Sequence, residues 1–131
     1  MLIEHLSLTK VTSAILVAAG APSAHADAVA HHLVEANLKG HDSHGVGMVP
    51  SYVKGMMDQH VDPHRHAQII KDNGAIVSID AGTGLGRVVG IEAMDIGVER
   101  TKKHGLACVA LGNAAHLGRI GAFAEHCADH G

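Results

Sequence analysis

The stretch Ala67-Gln68-Ile69-Ile70-Lys71-Asp72-Asn73-Gly74-Ala75-Ile76-Val77-Ser78-Ile79-Asp80 marks the point where the 131-residue sequence changes character. Two apolar runs rich in isoleucine and valine, residues 67–71 and 75–80, flank the polar turn at residues 72–74. Such runs are typical of short β-strands, and Asn-Gly between them is a strong signal for a hairpin. The stretch therefore predicts two paired strands, whereas the sequence before it shows the periodicity of helices.

Upstream of this hairpin, apolar residues recur at the spacing of helices. A first helix is predicted from an N-cap at Ser7 to Gly20, and a second from Ser23 to Lys39 with Gly40 just beyond its end. A third, short helix is predicted from Val49 to about Met57, with Pro50 in its first turn. The residues expected to face the core are Leu8, Val11, Ile15, Leu16 and Ala19 in the first helix, and Ala26, Val29, Ala30, Leu33, Val34 and Leu38 in the second.

Downstream of the hairpin, helices and strands alternate. The sequence predicts a helix from Arg87 to Lys103, a strand from Leu106 to Leu111 and a last helix from about Gly118 to Asp129. The expected fold class is α+β to α/β. A bundle of about three helices spans residues 1–66, and residues 67–131 form the first part of a mixed α/β domain.

Composition narrows the classes of partner. Aromatic residues make up 2% of the chain and the formal net charge is -3, so neither stacking platforms nor a basic surface for nucleic acid is expected. No apolar run is long enough for a membrane span. Val11 to Ala21 resembles a secretory signal, but Glu4 and the helical spacing favour an amphipathic helix. Cys108 and Cys127 form no disulfide framework, which indicates a reduced, cytoplasmic setting.

The segment His41-Asp42-Ser43-His44-Gly45 places two imidazoles, a carboxylate and a hydroxyl in one loop between predicted helices. A neutral imidazole can transfer a proton near pH 7, and a neighbouring hydroxyl can orient it. Reduction of a carbonyl compound requires such a proton at the carbonyl oxygen. The competing interpretation is structural, because Asp and Ser often cap helices and histidines are common in polar loops.

A second candidate is His116, in the loop Gly112-Asn113-Ala114-Ala115-His116-Leu117-Gly118 between a predicted strand and helix. Ligands of α/β folds collect at the carboxyl ends of strands, and a helix start near Gly118, with Arg119, would suit phosphate. A glycine-rich connector is the alternative. The loop Gly82-Thr83-Gly84-Leu85-Gly86 falls short of the Rossmann fingerprint, since Arg87 stands at the third-glycine position. A tight turn is favoured there.

Histidine-rich stretches raise the question of metal binding. His64 and His66 stand two apart, and His126 and His130 stand four apart with Cys127 between them. No acidic residue completes a zinc motif of the H-E-x-x-H type, so surface histidines and no metal are expected. The same interpretation is given to His31 and His32 in the second helix.

Taken together, these segments resemble the malate/L-lactate dehydrogenase family from about Leu8 to Gly131. The most specific part is Leu33-Val34-Glu35-Ala36-Asn37-Leu38-Lys39-Gly40-His41-Asp42-Ser43-His44-Gly45-Val46, followed by Gly84-Leu85-Gly86 and the loop at residues 112–118. The resemblance implies a non-Rossmann fold and a homodimer that converts a small 2-oxo or 2-hydroxy acid with NAD or NADP.

The resemblance also assigns roles to residues. Ser43 and His44 would form the charge-relay and proton-donor pair, although in some members the histidine that matches His116 has the acid/base role. The residues expected to contact the cofactor are His116, Leu117, Gly118, Arg119 and Ile120.

The sequence departs from the family pattern at several positions. Ala114 replaces the serine of an S-x-H-x-G motif, and Met48 stands where many members have an arginine for the substrate carboxylate. Ser51 stands where a basic residue is expected, and Lys54 is a possible substitute. Because family members are much longer, the chain is expected to be an N-terminal portion. The alternative function is a catalytically inactive helical interaction module.

Overall fold

The computed structural model describes residues 2–131, which divide into two compact units between His64 and Arg65, two residues before the boundary predicted from sequence. The first unit contains α1 (His5–Ala18), α2 (Ser23–Leu38), two 3-10 turns (Asp42–His44 and Val46–Met48) and α3 (Val49–Met57). The second unit contains β1 (Gln68–Asn73), β2 (Ile76–Asp80), α4 (Gly86–His104), β3 (Cys108–Gly112) and α5 (Gly121–Ala128). The predicted order of helices and strands, and the α+β class, are confirmed.

The first helix begins earlier than predicted. Its N-cap is Glu4, whose carboxylate accepts hydrogen bonds from the backbone N–H groups of Leu6 (2.9 Å) and Ser7 (2.6 Å). These bonds hold the pKa of Glu4 below its ordinary value. The prediction of Ser7 as the N-cap is therefore wrong, because a longer acidic side chain three residues earlier already satisfies the first N–H groups.

The buried face of α1 also differs from the predicted apolar stripe. Thr12, Ser13 and Leu16 are buried, whereas Val11 is 57% exposed and Ile15 is 43% exposed. The hydroxyl of Ser13 lies 2.5 Å from the carboxylate of Asp27 in α2, so this buried polar group is satisfied. Small side chains let α1 pack closely on α2, and several larger apolar residues remain at the surface.

Helix α2 supplies most of the core of the first unit. Five of its predicted core positions are buried, as expected, but Leu38 is 67% exposed because it lies in the last turn; the five are Ala26, Val29, Ala30, Leu33 and Val34. The prediction that His32 is a surface histidine is wrong, since it is only 1% exposed, whereas His31 is exposed.

The second unit is built on a three-stranded sheet in the order β1-β2-β3. β1 and β2 form the predicted antiparallel hairpin, but Asn73 pairs with Ile76, so the connecting residues are Gly74 and Ala75 rather than residues 72–74. β3 runs parallel to β2 after the α4 crossover. The mixed strand directions agree with the non-Rossmann expectation, and Val77, Ile79 and Ala93 form the buried core of the unit.

Two predicted boundaries in this unit are displaced. β3 begins at Cys108 instead of Leu106, which is 65% exposed. α5 begins at Gly121 instead of Gly118, because Gly118 has a positive φ of 77° and cannot start an α-helix in that conformation. The suggestion that a helix N-terminus at Gly118 offers N–H groups to phosphate is therefore wrong.

We expect the core of the first unit to depend on Leu33 and to be insensitive to Leu38. Leu33→Ala should lower the free energy of unfolding by about 2–5 kcal/mol, because it leaves a cavity at a side chain with no exposed surface. Leu38→Ala, in the same helix but mostly exposed, should change it by less than about 0.5 kcal/mol. Urea unfolding followed by circular dichroism checks both values, and equal losses would contradict the packing described above.

Candidate functional site

The loop that carries the predicted proton-transfer residues begins at a sharp reversal after α2. Gly40 adopts a positive φ of 76°, and the N–H groups of Gly40 and His41 donate to the carbonyl oxygens of Asn37 (2.9 Å) and Ala36 (2.8 Å). This is the Schellman pattern, in which a left-handed residue ends the helix and its last carbonyl groups are satisfied. The reversal directs residues 41–48 back toward the end of α2.

Asn37 fixes this loop, and the sequence analysis did not assign it a role. Its Oδ1 accepts a hydrogen bond from the N–H of Val46 (2.8 Å), and its Nδ2 donates to the carboxylate of Asp42 (2.6 Å). A Cβ on Gly45 would lie only 2.2 Å from Asn37 Oδ1, so the glycine permits the close approach. The only signal in the sequence is the place of Asn37 within the stretch at residues 33–46 that resembles the family.

Ser43 and His44 are brought together in the first of the two 3-10 turns. Ser43 Oγ lies 2.8 Å from His44 Nδ1, Ser43 is exposed, and His44 is half-buried. A hydroxyl can donate to a bare Nδ1 or accept from a protonated one, so this contact is compatible with either tautomer of the imidazole. The carboxylate of Asp42 accepts a hydrogen bond from Asn37, and the neighbouring His41 is exposed.

The residues proposed for substrate recognition lie just after this turn. Met48 is half-buried and caps α3, and its thioether cannot form an ion pair with a carboxylate. Lys54, the possible substitute, is ion-paired with Asp58. Tyr52 is buried in α3, and burial raises its pKa to about 12, so its phenol stays protonated at neutral pH.

In the second unit, the loop after β3 is held by the turn after β2. The N–H groups of Ala81 and Thr83 donate to the carbonyl oxygens of Gly112 (2.9 Å) and Asn113 (2.7 Å), and the N–H of Ala115 donates to Gly84 (3.0 Å). The glycine-rich turn at residues 82–86 therefore supports the loop that contains His116. This is a structural role for a segment that does not match the Rossmann fingerprint.

Gly86 brings the same loop against the start of α4. A Cβ at this position would lie 2.2 Å from the carbonyl oxygen of His116 and 2.6 Å from that of Ala115. Because both contacts are to backbone atoms, a side chain here would displace the loop. The path of the backbone at His116 thus depends on the absence of a side chain at Gly86.

Asp80 closes this arrangement at the end of β2. Its Oδ1 accepts hydrogen bonds from the N–H of Gly82 (2.9 Å) and from Nδ2 of Asn113 (3.0 Å). Asn113 adopts a positive φ of 55°. The Gly82 bond, then the Asn113 bond and the charge of Arg65, hold the pKa of Asp80 below its ordinary value. The carboxylate thereby links the two loops at the carboxyl ends of parallel strands.

The five residues predicted to contact a cofactor differ in exposure. His116 and Ile120 are exposed, whereas Gly118 and Arg119 are buried. The guanidinium of Arg119 donates to both carboxylate oxygens of Glu125, from Nη1 at 2.9 Å and from Nη2 at 2.6 Å. Within this segment, His116 and Ile120 present side chains to solvent, while the charge of Arg119 is neutralised by Glu125.

Comparison with known proteins shows the family to which the chain belongs. The sequence model of the malate/L-lactate dehydrogenase family matches residues 3–131. The chain belongs to the malate/L-lactate dehydrogenase family. Among the described residues, no helix combines the length and apolar character required to cross a membrane.

Curated relatives of the family cover almost all of the chain. Hydroxycarboxylate dehydrogenase B of Escherichia coli O157:H7 is 48% identical over 112 residues, which are 86% of this chain and 31% of that relative. L-lactate dehydrogenase of Cupriavidus necator is 35% identical over 131 residues, which are 100% of this chain and 38% of that relative. The chain therefore spans about a third of the length of these family members.

Solved structures of the family give the same result for the fold. Malate dehydrogenase from Pyrococcus horikoshii OT3 aligns with a TM-score of 0.91 at 31% identity, covering 95% of this chain and 36% of that chain. Sulfolactate dehydrogenase from Methanocaldococcus jannaschii aligns with a TM-score of 0.90 at 34% identity, with the same coverage. The fold of the chain is thus the fold of the corresponding part of these family members.

We expect the loop of the family motif to open when Asn37 is truncated. Asn37→Ala should accelerate hydrogen exchange at the Val46 amide by about tenfold, because that N–H loses its acceptor. Asp42→Ala is the matched control, since it removes one bond of Asn37 but retains the bond to Val46. Unchanged exchange at Val46 in Asn37→Ala would show that another group holds the loop.

The link made by Asp80 should weaken in acid. The pKa of this carboxyl is lowered in the folded protein, so its stabilising effect is complete above about pH 3.9, its unfolded value, and disappears as the pH falls through the lower folded value. In an NMR titration, the side chain of Asp80 and the amide of Gly82 should share one midpoint below 3.9. Asp80→Asn should abolish the shift at Gly82, and a midpoint at the ordinary value would contradict the two hydrogen bonds.

Proposed function

We propose that the protein interconverts a small 2-hydroxy acid and its 2-oxo acid with NAD or NADP, and that this chain supplies the proton-transfer pair. The observation that carries the proposal is the 2.8 Å contact between Ser43 Oγ and His44 Nδ1, in a loop fixed by Asn37. The names of the relatives support the class of substrate, since they are hydroxycarboxylate, lactate, malate and sulfolactate dehydrogenases.

His44 acts as the general acid when the 2-oxo acid is reduced. Its Nε2 donates a proton to the carbonyl oxygen as the carbonyl carbon becomes a carbinol carbon, and the same nitrogen accepts the hydroxyl proton in the reverse direction. The ring that donates the proton is the imidazolium, and in the neutral ring that remains Nδ1 keeps its hydrogen and donates a hydrogen bond to Ser43 Oγ. Ser43 accepts this hydrogen bond in both the protonated and the neutral state, so the orientation of the ring is kept while Nε2 loses or gains its proton.

The loop of the second unit is proposed to contact the cofactor. The nicotinamide group, when bound, accepts or supplies the hydride of the reaction. His116 and Ile120 fit this role because both are exposed, one with hydrogen-bonding nitrogens and the other with an apolar surface for a ring. Leu117, Gly118 and Arg119 contribute by positioning the backbone, since Gly118 and Arg119 are buried and Arg119 is paired with Glu125.

The substrate carboxylate requires a partner other than Met48. A thioether offers no charge, and Lys54 is already paired with Asp58. We propose that the carboxylate is held by groups in the part of the family enzyme that this chain does not span. This proposal agrees with the coverage of about a third of the length of the relatives.

We also propose that the protein is a homodimer in the cytoplasm. The two free cysteines, Cys108 and Cys127, are typical of a reduced compartment. Val11 and Ile15 leave apolar surface on the outer face of α1, which is the kind of surface that subunit contacts bury. These observations support the assignment of compartment and assembly.

The proton-transfer role predicts the kinetics of variants of the full-length protein. His44→Ala should lower kcat for reduction of 2-oxo acids by about a hundredfold or more, because it removes the ring that donates the proton. Ser43→Ala should lower kcat less, since the imidazole remains but loses its hydrogen-bonding partner. His41→Ala, an exposed histidine in the same loop, is the control and should retain activity.

Two outcomes would refute this assignment. Wild-type turnover by His44→Ala would remove the proton-transfer role, and a full loss in His116→Ala alone would transfer it to the second unit. Titration of the 131-residue chain with NAD and NADP separates a cofactor-binding segment from a purely structural module, because saturable binding is expected only for the former.

A further inference from the structure

The end of α5 places three metal-binding side chains next to one another, in a region that takes no part in the proposed proton transfer. Asp95 projects from α4, His126 from α5, and His130 from the turn that follows α5. One ligand atom from each of the three lies within 4.8 Å of the others. The sequence motif held no acidic partner for the two histidines, and the fold provides one from the neighbouring helix.

The hydrogen bonds of the three residues hold the two imidazoles beside the carboxylate. His126 Nε2 donates to Asp95 Oδ1 at 2.6 Å, and the rings of His126 and His130 are tilted by 49° with their centroids 4.6 Å apart. His130 Nδ1 donates to the carbonyl oxygen of His126 (2.7 Å), so its Nε2 retains the lone pair. Histidines that bind metals almost always donate their other ring N–H in this way, commonly to a backbone carbonyl.

We propose that Asp95, His126 and His130 form a binding site for a divalent zinc ion that joins α5 to α4. Two imidazole nitrogens and one carboxylate oxygen are a ligand set that zinc accepts, with water at the fourth position. Tetrahedral bonds of 2.0–2.1 Å place ligand atoms about 3.3 Å apart. Because Asp95 and His130 are exposed, their side chains can rotate to close the remaining gap. The ion takes the place of the proton that His126 Nε2 donates to Asp95, and the neutral ring then carries its proton on Nδ1.

Zinc at this position would stabilise the helix that holds the loop of His116. Glu125, adjacent to His126 in α5, forms the ion pair with Arg119. α5 spans only 8 residues, so its position depends on contacts with α4 and on this ion pair. The proposal does not depend on the proposed catalytic function, because its readouts are metal binding and stability.

The test uses the 131-residue chain without a histidine tag, freed of metal with a chelator and titrated with zinc chloride. We expect one equivalent of zinc to bind and the melting temperature to rise by several degrees at saturation. Asp95→Asn, His126→Ala and His130→Ala should each weaken binding by at least about tenfold, since loss of even an outer partner of a metal ligand has that effect.

Two matched controls separate this site from others. Cys127→Ser changes the residue between the two histidines, and His104→Ala removes an exposed histidine of the same unit; both should bind zinc like the wild type. His130→Ala also guards against misfolding, because residue 130 lies beyond the end of α5. Binding that survives His126→Ala and His130→Ala, binding lost in Cys127→Ser, or no stoichiometric binding by the wild type would overturn the proposal.

Discussion

The contact between Asn37 and the backbone at Gly45 and Val46 determines where Ser43 and His44 lie. Asn37 lies in the last turn of α2, and its side chain occupies the space that a Cβ of Gly45 would fill. A short loop carries few contacts of its own, so an anchor to a buried helix is what gives its side chains a defined position. The side-chain amide of Asn37 thus fixes the position of the loop with Ser43 and His44 relative to the packed helix α2.

The second unit uses the same physical device at Gly86. There the backbone of His116 lies against the start of α4, and hydrogen bonds from residues 81–84 join the two loops. In both units, a glycine permits a close backbone approach, and a polar side chain, Asn37 or Asp80, satisfies the groups that the turn leaves free. The ends of helices and strands therefore support both loops.

Two basic side chains of the second unit are paired with acidic side chains of the same unit. Arg119 is buried and binds both oxygens of Glu125, and removing either partner would leave the other without its counter-charge. His126 is likewise engaged by Asp95. A count of basic residues near a predicted ligand loop therefore overstates the positive charge that a phosphate would meet, because the fold supplies acidic partners from α4 and α5.

The sequence alone determined the order of helices and strands, the hairpin, the end of α2 shortly before Gly40 and the membership of the family, because these follow from local periodicity, turn residues and a motif of adjacent residues. It could not place residues whose surroundings come from elsewhere in the chain. Contacts between helices decided which face of α1 is exposed and that His32 is buried. A loop that folds back onto α2 decided the role of Asn37, and the left-handed conformation of Gly118 decided where α5 begins. The meeting of Asp95 with His126 was decided likewise, since 31 residues separate them and only the packing of α5 on α4 makes them neighbours.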